Sequence, residues 1–260
     1  MLRDHPRMTA LHLDCQCGRT IEAPDLDALS DTFLVHVREV HTDWPYPDRA
    51  VRNYAEATQR LTGGSERLDE VGEVEIHPVT EDRLEDWARF FDHDGFVGSP
   101  EWAACYCTEP HLLNPMAPGE RADQSGQENR AAMLGLLRSG RSFGYLAYVD
   151  GRAAGWANAS KRSDYALFRT ADATSDSDVI GLSCFVVAPP YRRHGLAGKL
   201  LDRVISDAPQ RAVAWIEAYP FVSFRPDDGR NFRGSRSLYD ARGFDAVEER
   251  ERYVVMRRPA

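Results

Sequence analysis

The chain has 260 residues, 42% of them hydrophobic, and a formal net charge of −9. It can therefore build a core, and its charge argues against non-specific nucleic-acid binding, which requires a basic surface. No apolar run approaches the length of a membrane span. The opening MLRDHPRMTALHLD has basic residues but no apolar stretch behind them, so no secretory signal is read. Five cysteines form an odd set that suits reduced thiols or metal better than a disulfide framework. A cytoplasmic protein is expected, with its oligomeric state open.

In chain order, LHLDC reads as a short strand running into Cys15-x-Cys17. A helix from Asp25 to His41 follows, with Leu26, Leu29, Phe33 and Val37 at helical spacing. After the break DWPYPD, a second helix aligns Val51, Tyr54, Ala55 and Leu61. Residues 1–61 thus read as a small accessory unit, and 62–71, rich in glycine and charge, as a linker. Cys15, Cys17, His36 and His41 offer two thiolates and two imidazoles, a set that suits structural zinc. So small a unit would gain from such a staple. The other reading is that the unit docks on the rest of the chain and its thiols simply pack.

The second unit spans 72–260. EVEIHPV alternates as a strand, TEDRLEDWARFF has helical periodicity, 92–126 reads as a loop, and ENRAAMLGLLRSG reads as a helix ending at Gly140. A hairpin is expected about Asp150-Gly151. The stretch SDYALFRTADATSDSD reads as a polar, mobile connection. Then come strand IGLSCFVV, helix GLAGKLLDRVI, strand AVAWIEAY, helix SRSLYDAR and a final strand pair. Strands alternating with helices make the fold class α+β, with helices on a central sheet.

Between the apolar runs of VVAPPYRRHGLAGKLL stand two arginines, a histidine and two glycines. A turn there would expose the unpaired N–H groups of a helix N-terminus, where the dipole also places partial positive charge. Gly195 and Gly198 let an anion approach the backbone. Arg192, Arg193 and His194 add donors suited to phosphate oxygens. A solvated strand–turn–helix is the plainer alternative.

Arg192-x-x-Gly195-x-Ala197 resembles motif A of the GNAT N-acetyltransferase superfamily, and Leu238-Tyr239-Asp240-Ala241-Arg242-Gly243-Phe244 resembles its last helix. The resemblance covers about 72–260, and the segment EWAACYCTEPH is similar to that of one bacterial subgroup. It implies a mixed, mostly antiparallel sheet flanked by helices, and acetyl transfer from acetyl-CoA to an amine, of a small molecule or a protein, in a ternary complex. Phe185, Val186 and Val187 would line the pantetheine arm, on a strand that often bulges and splays from its neighbour. Residues 192–198, Leu196 among them, would hold the pyrophosphate. Tyr239 would be the general acid, or else a packed tyrosine. The family's frequent Asn seven residues earlier is here Phe232, for which Asn231 is the substitute.

Glu217, a carboxylate within an apolar strand, is either the general base or a structural group satisfied by a nearby arginine. Trp156 and Asn158 either line the acceptor site or pack. Cys105, Cys107 and His111, with His93 upstream, are read as a pocket wall or packing, then as a metal set, and last as a nucleophile with its base. Cys184 is read as core. The whole-protein alternative is a non-catalytic acyl-CoA-binding regulatory protein whose metal-stabilised first unit recruits a partner.

Overall fold

The structure, a computed structural model, describes residues 10–112, 124–170, 172–223 and 231–260. Residues 1–9 and part of the expected 92–126 loop lie outside these residues. No described helix is long and apolar enough to cross a membrane.

The first unit is a hairpin of β1 (Leu11–Asp14) and β2 (Thr20–Ala23) covered by helices α1 (Leu26–Val40) and α2 (Asp48–Arg60). Asp25 caps α1 by accepting from the N–H of Ala28 at 2.8 Å, satisfying one of the donors that a helix start leaves unpaired. The periodic residues Leu29, Phe33 and Val37 are buried against Leu13, Ile21, Val51 and Ala55. Arg60 ends α2 and reaches the second unit. Its guanidinium donates to the carbonyls of Phe91, Asp92 and Ala103, each at 2.9 Å.

The second unit is built on a seven-stranded sheet in the order β3-β4-β5-β6-β7-β9-β8. The strands are β3 (Val74–Pro78), β4 (Gly144–Val149), β5 (Arg152–Lys161), β6 (Val179–Val187), β7 (Trp215–Ala218), β8 (Asp245–Glu249) and β9 (Val254–Pro259). All neighbours are antiparallel except β6 and β7, so the expected mixed, mostly antiparallel sheet is present. Side chains alternate across β4. Tyr145, Ala147 and Val149 join a core with helix α7 (Leu196–Asp207) and the short helix α8 (Arg236–Asp240), whereas Leu146 and Tyr148 join the opposite core. That second core takes Trp87 and Ala88 of α3 (Leu84–Arg89), Phe90 and Phe91 just beyond it, and Met133 and Leu136 of α5 (Gly126–Arg138).

Two stretches differ from expectation. The helix α3 does not stop before a loop but widens over Phe90–Asp94, where the Gly95 N–H reaches the Phe90 carbonyl five residues back at 2.8 Å. Such widenings recur at functional sites; here it delivers Gly95 and Phe96 to the cleft described below. A further short helix, α4 (Glu109–Leu112), follows. The polar connection read as mobile holds α6 (Ala173–Ser177) and buries Tyr165, Phe168 and Asp176. Its apolar groups carry no period, so their burial was hidden by the polar residues between them.

Arg60→Ala should free three carbonyls at the seam between the units, costing about 1–3 kcal/mol in urea unfolding and speeding proteolysis within 62–71. Unchanged stability and cleavage would show that the clamp does not hold the units together.

Candidate active site

The two parallel strands at the sheet's centre part company. They pair only between Val179–Leu182 and Trp215–Ala218. In the β5–β6 ladder Asn158 faces Cys184 while Ala159 faces Leu182, leaving Ser183 as a bulge. A bulge bends its strand and increases local twist, which turns the end of β6 away from β7. Phe185 then donates its N–H to the carbonyl of Phe232 instead of to β7.

The parting opens into a cleft of about 480 Å³. Phe185, Val186 and Val187 line one side, and Phe96 and Trp102 face them. At its end stands the turn into α7, where Arg192, Arg193, Gly195, Leu196, Ala197 and Gly198 all line the cleft. Gly195 is the N-cap with φ of 79°, and no side chain caps the helix. The first-turn N–H groups are thus left to the cleft, with the positive end of the helix dipole. A Cβ on Gly195 would meet nothing within 4 Å; the left-handed backbone, and not crowding, calls for glycine there. Gly198 is different, because a Cβ there would lie 2.7 Å from Nη2 of Arg242. Arg242 lines the same cleft and is ion-paired with Asp202. Arg192 ties the turn back onto β6 by donating from Nε to the Val187 carbonyl at 2.9 Å. Asn231 also lines the cleft. His194 does not: its Nε2 meets the Leu68 carbonyl at 2.9 Å, on the segment expected to link the units.

Tyr239 is fully buried beneath the cleft residues Gly234 and Ser235, and its hydroxyl donates to the Arg233 carbonyl at 2.6 Å. Burial raises its pKa well above that of an ordinary phenol, so it keeps its proton. Glu217 is taken elsewhere. Only 1% exposed, it accepts two bonds of 2.9 Å from Nη1 of Arg162, others from Arg257, and one of 3.1 Å from the Tyr219 hydroxyl. Arg162 is in turn held by Asp176 at 2.7 Å. These groups border a separate cavity of about 300 Å³ on the β8–β9 side. With both oxygens engaged by guanidinium groups, Glu217 has the partners that the structural alternative expects.

Trp156 is buried against Trp87 and Phe91. Asn158 is buried in a polar network: its amide donates to His111 Nε2 at 3.1 Å, while its carbonyl oxygen accepts from Ser160 and Tyr165. His111 passes the chain on from Nδ1 to the Asp164 carbonyl at 3.1 Å. His93 binds the Arg60 carbonyl through Nδ1 at 2.9 Å. Cys107 and Cys184 lie thiol to thiol at 3.0 Å in the core. Burial pushes the Cys105 thiol up to about 12, so it is not a thiolate at neutral pH. In the first unit, Cys15 Sγ stands 3.2 Å from His41 Nε2 and Cys17 Sγ 3.5 Å from His36 Nε2. All four ligand atoms fall within 4.8 Å of one another.

Known proteins resemble this chain over part of its length. The model of the "Acetyltransferase (GNAT) family" matches residues 108–225. An aminoglycoside N(6')-acetyltransferase type 1 from Acinetobacter genomosp. 13 is 31% identical over 117 residues, 45% of this chain and 71% of the relative. Among solved structures, the GNAT domain of S. lividans PAT covers 73% of this chain and 92% of its own, with 14% identity and a TM-score of 0.46. PaiA N-acetyltransferase from Thermoplasma acidophilum, in complex with coenzyme A, covers 72% and 99%, with 13% identity and a TM-score of 0.44. The chain belongs to the GNAT acetyltransferase family.

Arg233 carries no sequence signal, whereas Trp102 and Arg242 stand within the quoted segments EWAACYCTEPH and LYDARGF without a role of their own. Each lies in a segment distant in sequence from β6, so its place beside the cleft cannot be read locally. Glu217→Ala should leave Arg162 and Arg257 facing a buried void, destabilising the protein by about 3–5 kcal/mol. A chevron or urea titration that moved by less than about 1 kcal/mol would show that the pair is not structural.

Proposed function

We propose that this protein is an acetyl-CoA-dependent N-acetyltransferase that moves the acetyl group directly to an amine while both substrates are bound, with residues 62–71 joining an accessory unit, 1–61, to the transferase unit, 72–260. The observation that carries the reading is the uncapped N-terminus of α7 at the end of a cleft made by the parting of β6 and β7. Helix N-termini of this kind bind phosphate through backbone donors and dipole together, and Arg193 and Arg242 add charge beside it. The apolar face of Phe185, Val186 and Val187 suits the pantetheine arm, whose amides can pair with the unpaired edge of β6. Leading out of the cleft is a second, smaller cavity that shares Phe96, Trp102, Val186 and Phe232 with it. A donor cleft adjoining a second cavity is what two-substrate transfer needs, and a sensor does not.

In the reaction the amine nitrogen attacks the thioester carbon, the C–N bond forms and the C–S bond breaks. The amine gives up one proton and the departing thiolate takes one. Backbone N–H groups on the splayed edge of β6 would stabilise the developing oxyanion, that of Phe185 once released from the Phe232 carbonyl. Tyr239, kept protonated by burial, is the candidate acid, and would exchange the Arg233 carbonyl for sulfur.

The Cys/His cluster of the first unit is suited to zinc. Tetrahedral zinc with these ligands sets sulfur–nitrogen separations of roughly 3.5 Å, close to the 3.2 and 3.5 Å found. Cys15 and Cys17 lie at and just beyond the end of β1, in the hairpin turn, and His36 and His41 at the end of α1. A metal there would clamp hairpin to helix, and through α2 it would steady Arg60.

Calorimetric titration with acetyl-CoA should show saturable binding, and Gly195→Glu, which sets a carboxylate among the phosphate donors, should weaken it by more than about 10²-fold. Well-folded protein that fails to bind would overturn the proposal. Metal analysis should find one zinc per chain, and cobalt-loaded protein should show the visible bands of a tetrahedral thiolate site, lost in Cys17→Ser. Protein purified without bound metal, and giving no such bands, would leave the cysteines as packing groups.

A further inference from the structure

The acceptor remains to be identified, and one buried side chain bears on it. Arg233 is only 6% exposed, yet among the described residues its guanidinium has no ion-pair partner and its Nε has no hydrogen-bond partner. Four rings surround it instead, those of Phe221, Phe168, Tyr253 and Phe232, at 4.6, 5.2, 5.3 and 5.8 Å. Cation–π contacts of this kind compensate a desolvated guanidinium only in part; an isolated buried charge is costly unless something pairs with it. The neighbouring case within the same fold shows the usual solution, since Arg162 is buried to the same degree and holds two carboxylates.

Arg233 lines the small cavity that adjoins the donor cleft, together with Glu109, Cys105 and the bulge residue Ser183. Glu109 is the acidic group whose field bears most on Arg233, but the two form no ion pair. A positive and a negative group therefore share one cavity without joining. The cavity has about 40 Å³ of space, room for about three waters, so it admits a small polar head and not a broad rigid amine. The family motif tyrosine supports this arrangement, because Tyr239 holds the backbone carbonyl of Arg233 itself.

Resting on the acetyltransferase reading above, we infer that the acceptor is a small amine bearing a carboxylate close to the nitrogen, its carboxylate bound by Arg233 and its amine by Glu109. An amino acid, free or at the start of a peptide with an acidic first side chain, has this chemistry. A polycationic amine does not, since Arg233 would repel it.

The test is coenzyme A release from acetyl-CoA with glycine, β-alanine and lysine, with their amides, with cadaverine, with an aminoglycoside, and with peptides beginning in aspartate. Carboxylated amines should exceed their amides in kcat/KM by about 10²-fold or more, as expected of a site whose buried polar group is left unpaired by the wrong substrate. Arg233→Met should bring that ratio to within a few-fold, Arg233→Lys should restore part of it, and free amino acids against peptides will separate the two sources. Equal use of amides, preference for polyamines, an unchanged ratio in Arg233→Met, or no transfer to any carboxylated amine would each overturn the inference. Acetyl-CoA titration of the same preparations separates the failures. If the donor binds and plain amines are acetylated without preference, the acceptor inference alone falls; if folded protein does not bind the donor, the acetyltransferase reading falls and takes the inference with it.

Discussion

The structure depends on a place where hydrogen bonding stops. β6 and β7 pair over four residues each and then separate, with the Ser183 bulge marking the point on the other edge of β6. An unpaired strand edge within a sheet is a cost, because buried backbone donors and acceptors require partners. Here the edge is answered partly by the Phe232 carbonyl and by Arg192, which reaches back to the Val187 carbonyl. The remainder faces the cleft. The strand that forms this edge runs directly into the turn before α7, so edge and turn are held in register by one short piece of chain.

Two buried arginines show how the fold treats charge on either side of that opening. Arg162 is satisfied by Asp176 and Glu217, and with Arg257 it makes a closed ionic cluster that fastens β7 and β9 to the connection before β6. Burial of such a cluster adds little net stability but makes the loss of any member expensive. Arg233 is enclosed by rings and, among the described residues, has no ion-pair partner. The first arrangement is complete in itself; the second is complete only with a ligand. The distinction separates a structural charge from one kept for binding, although both are arginines at similar depth.

What could be read in the sequence was local. The turn into α7 is contiguous, so its glycines and arginines stand together within seven residues, and all but His194 line the cleft. His194 faces the Leu68 carbonyl because the segment before β3 crosses the turn, a contact between positions too far apart for any pattern to display. Glu217 stood out as a carboxylate in an apolar strand, but its partners lie 55 and 40 residues away in sequence, so no local pattern could display the arginines around it. The Cys/His set was legible as a set, since ligand chemistry depends on residue type; that the hairpin and helix draw the four atoms within 4.8 Å was not. AVAWIEAY shortened to the strand Trp215–Ala218, because its neighbour β6 turns away beyond Leu182.

The central claim is that one cleft, from the splayed edge of β6 to the N-terminus of α7, holds the acyl donor. A crystal structure of the protein with coenzyme A tests it most directly. The account predicts pyrophosphate density against the N–H groups of residues 195–198 and the pantetheine arm paired along Phe185–Val187, ending with sulfur beside the Ser183 bulge. Coenzyme A bound elsewhere, with that cleft closed or filled by the 231–235 segment, would contradict it.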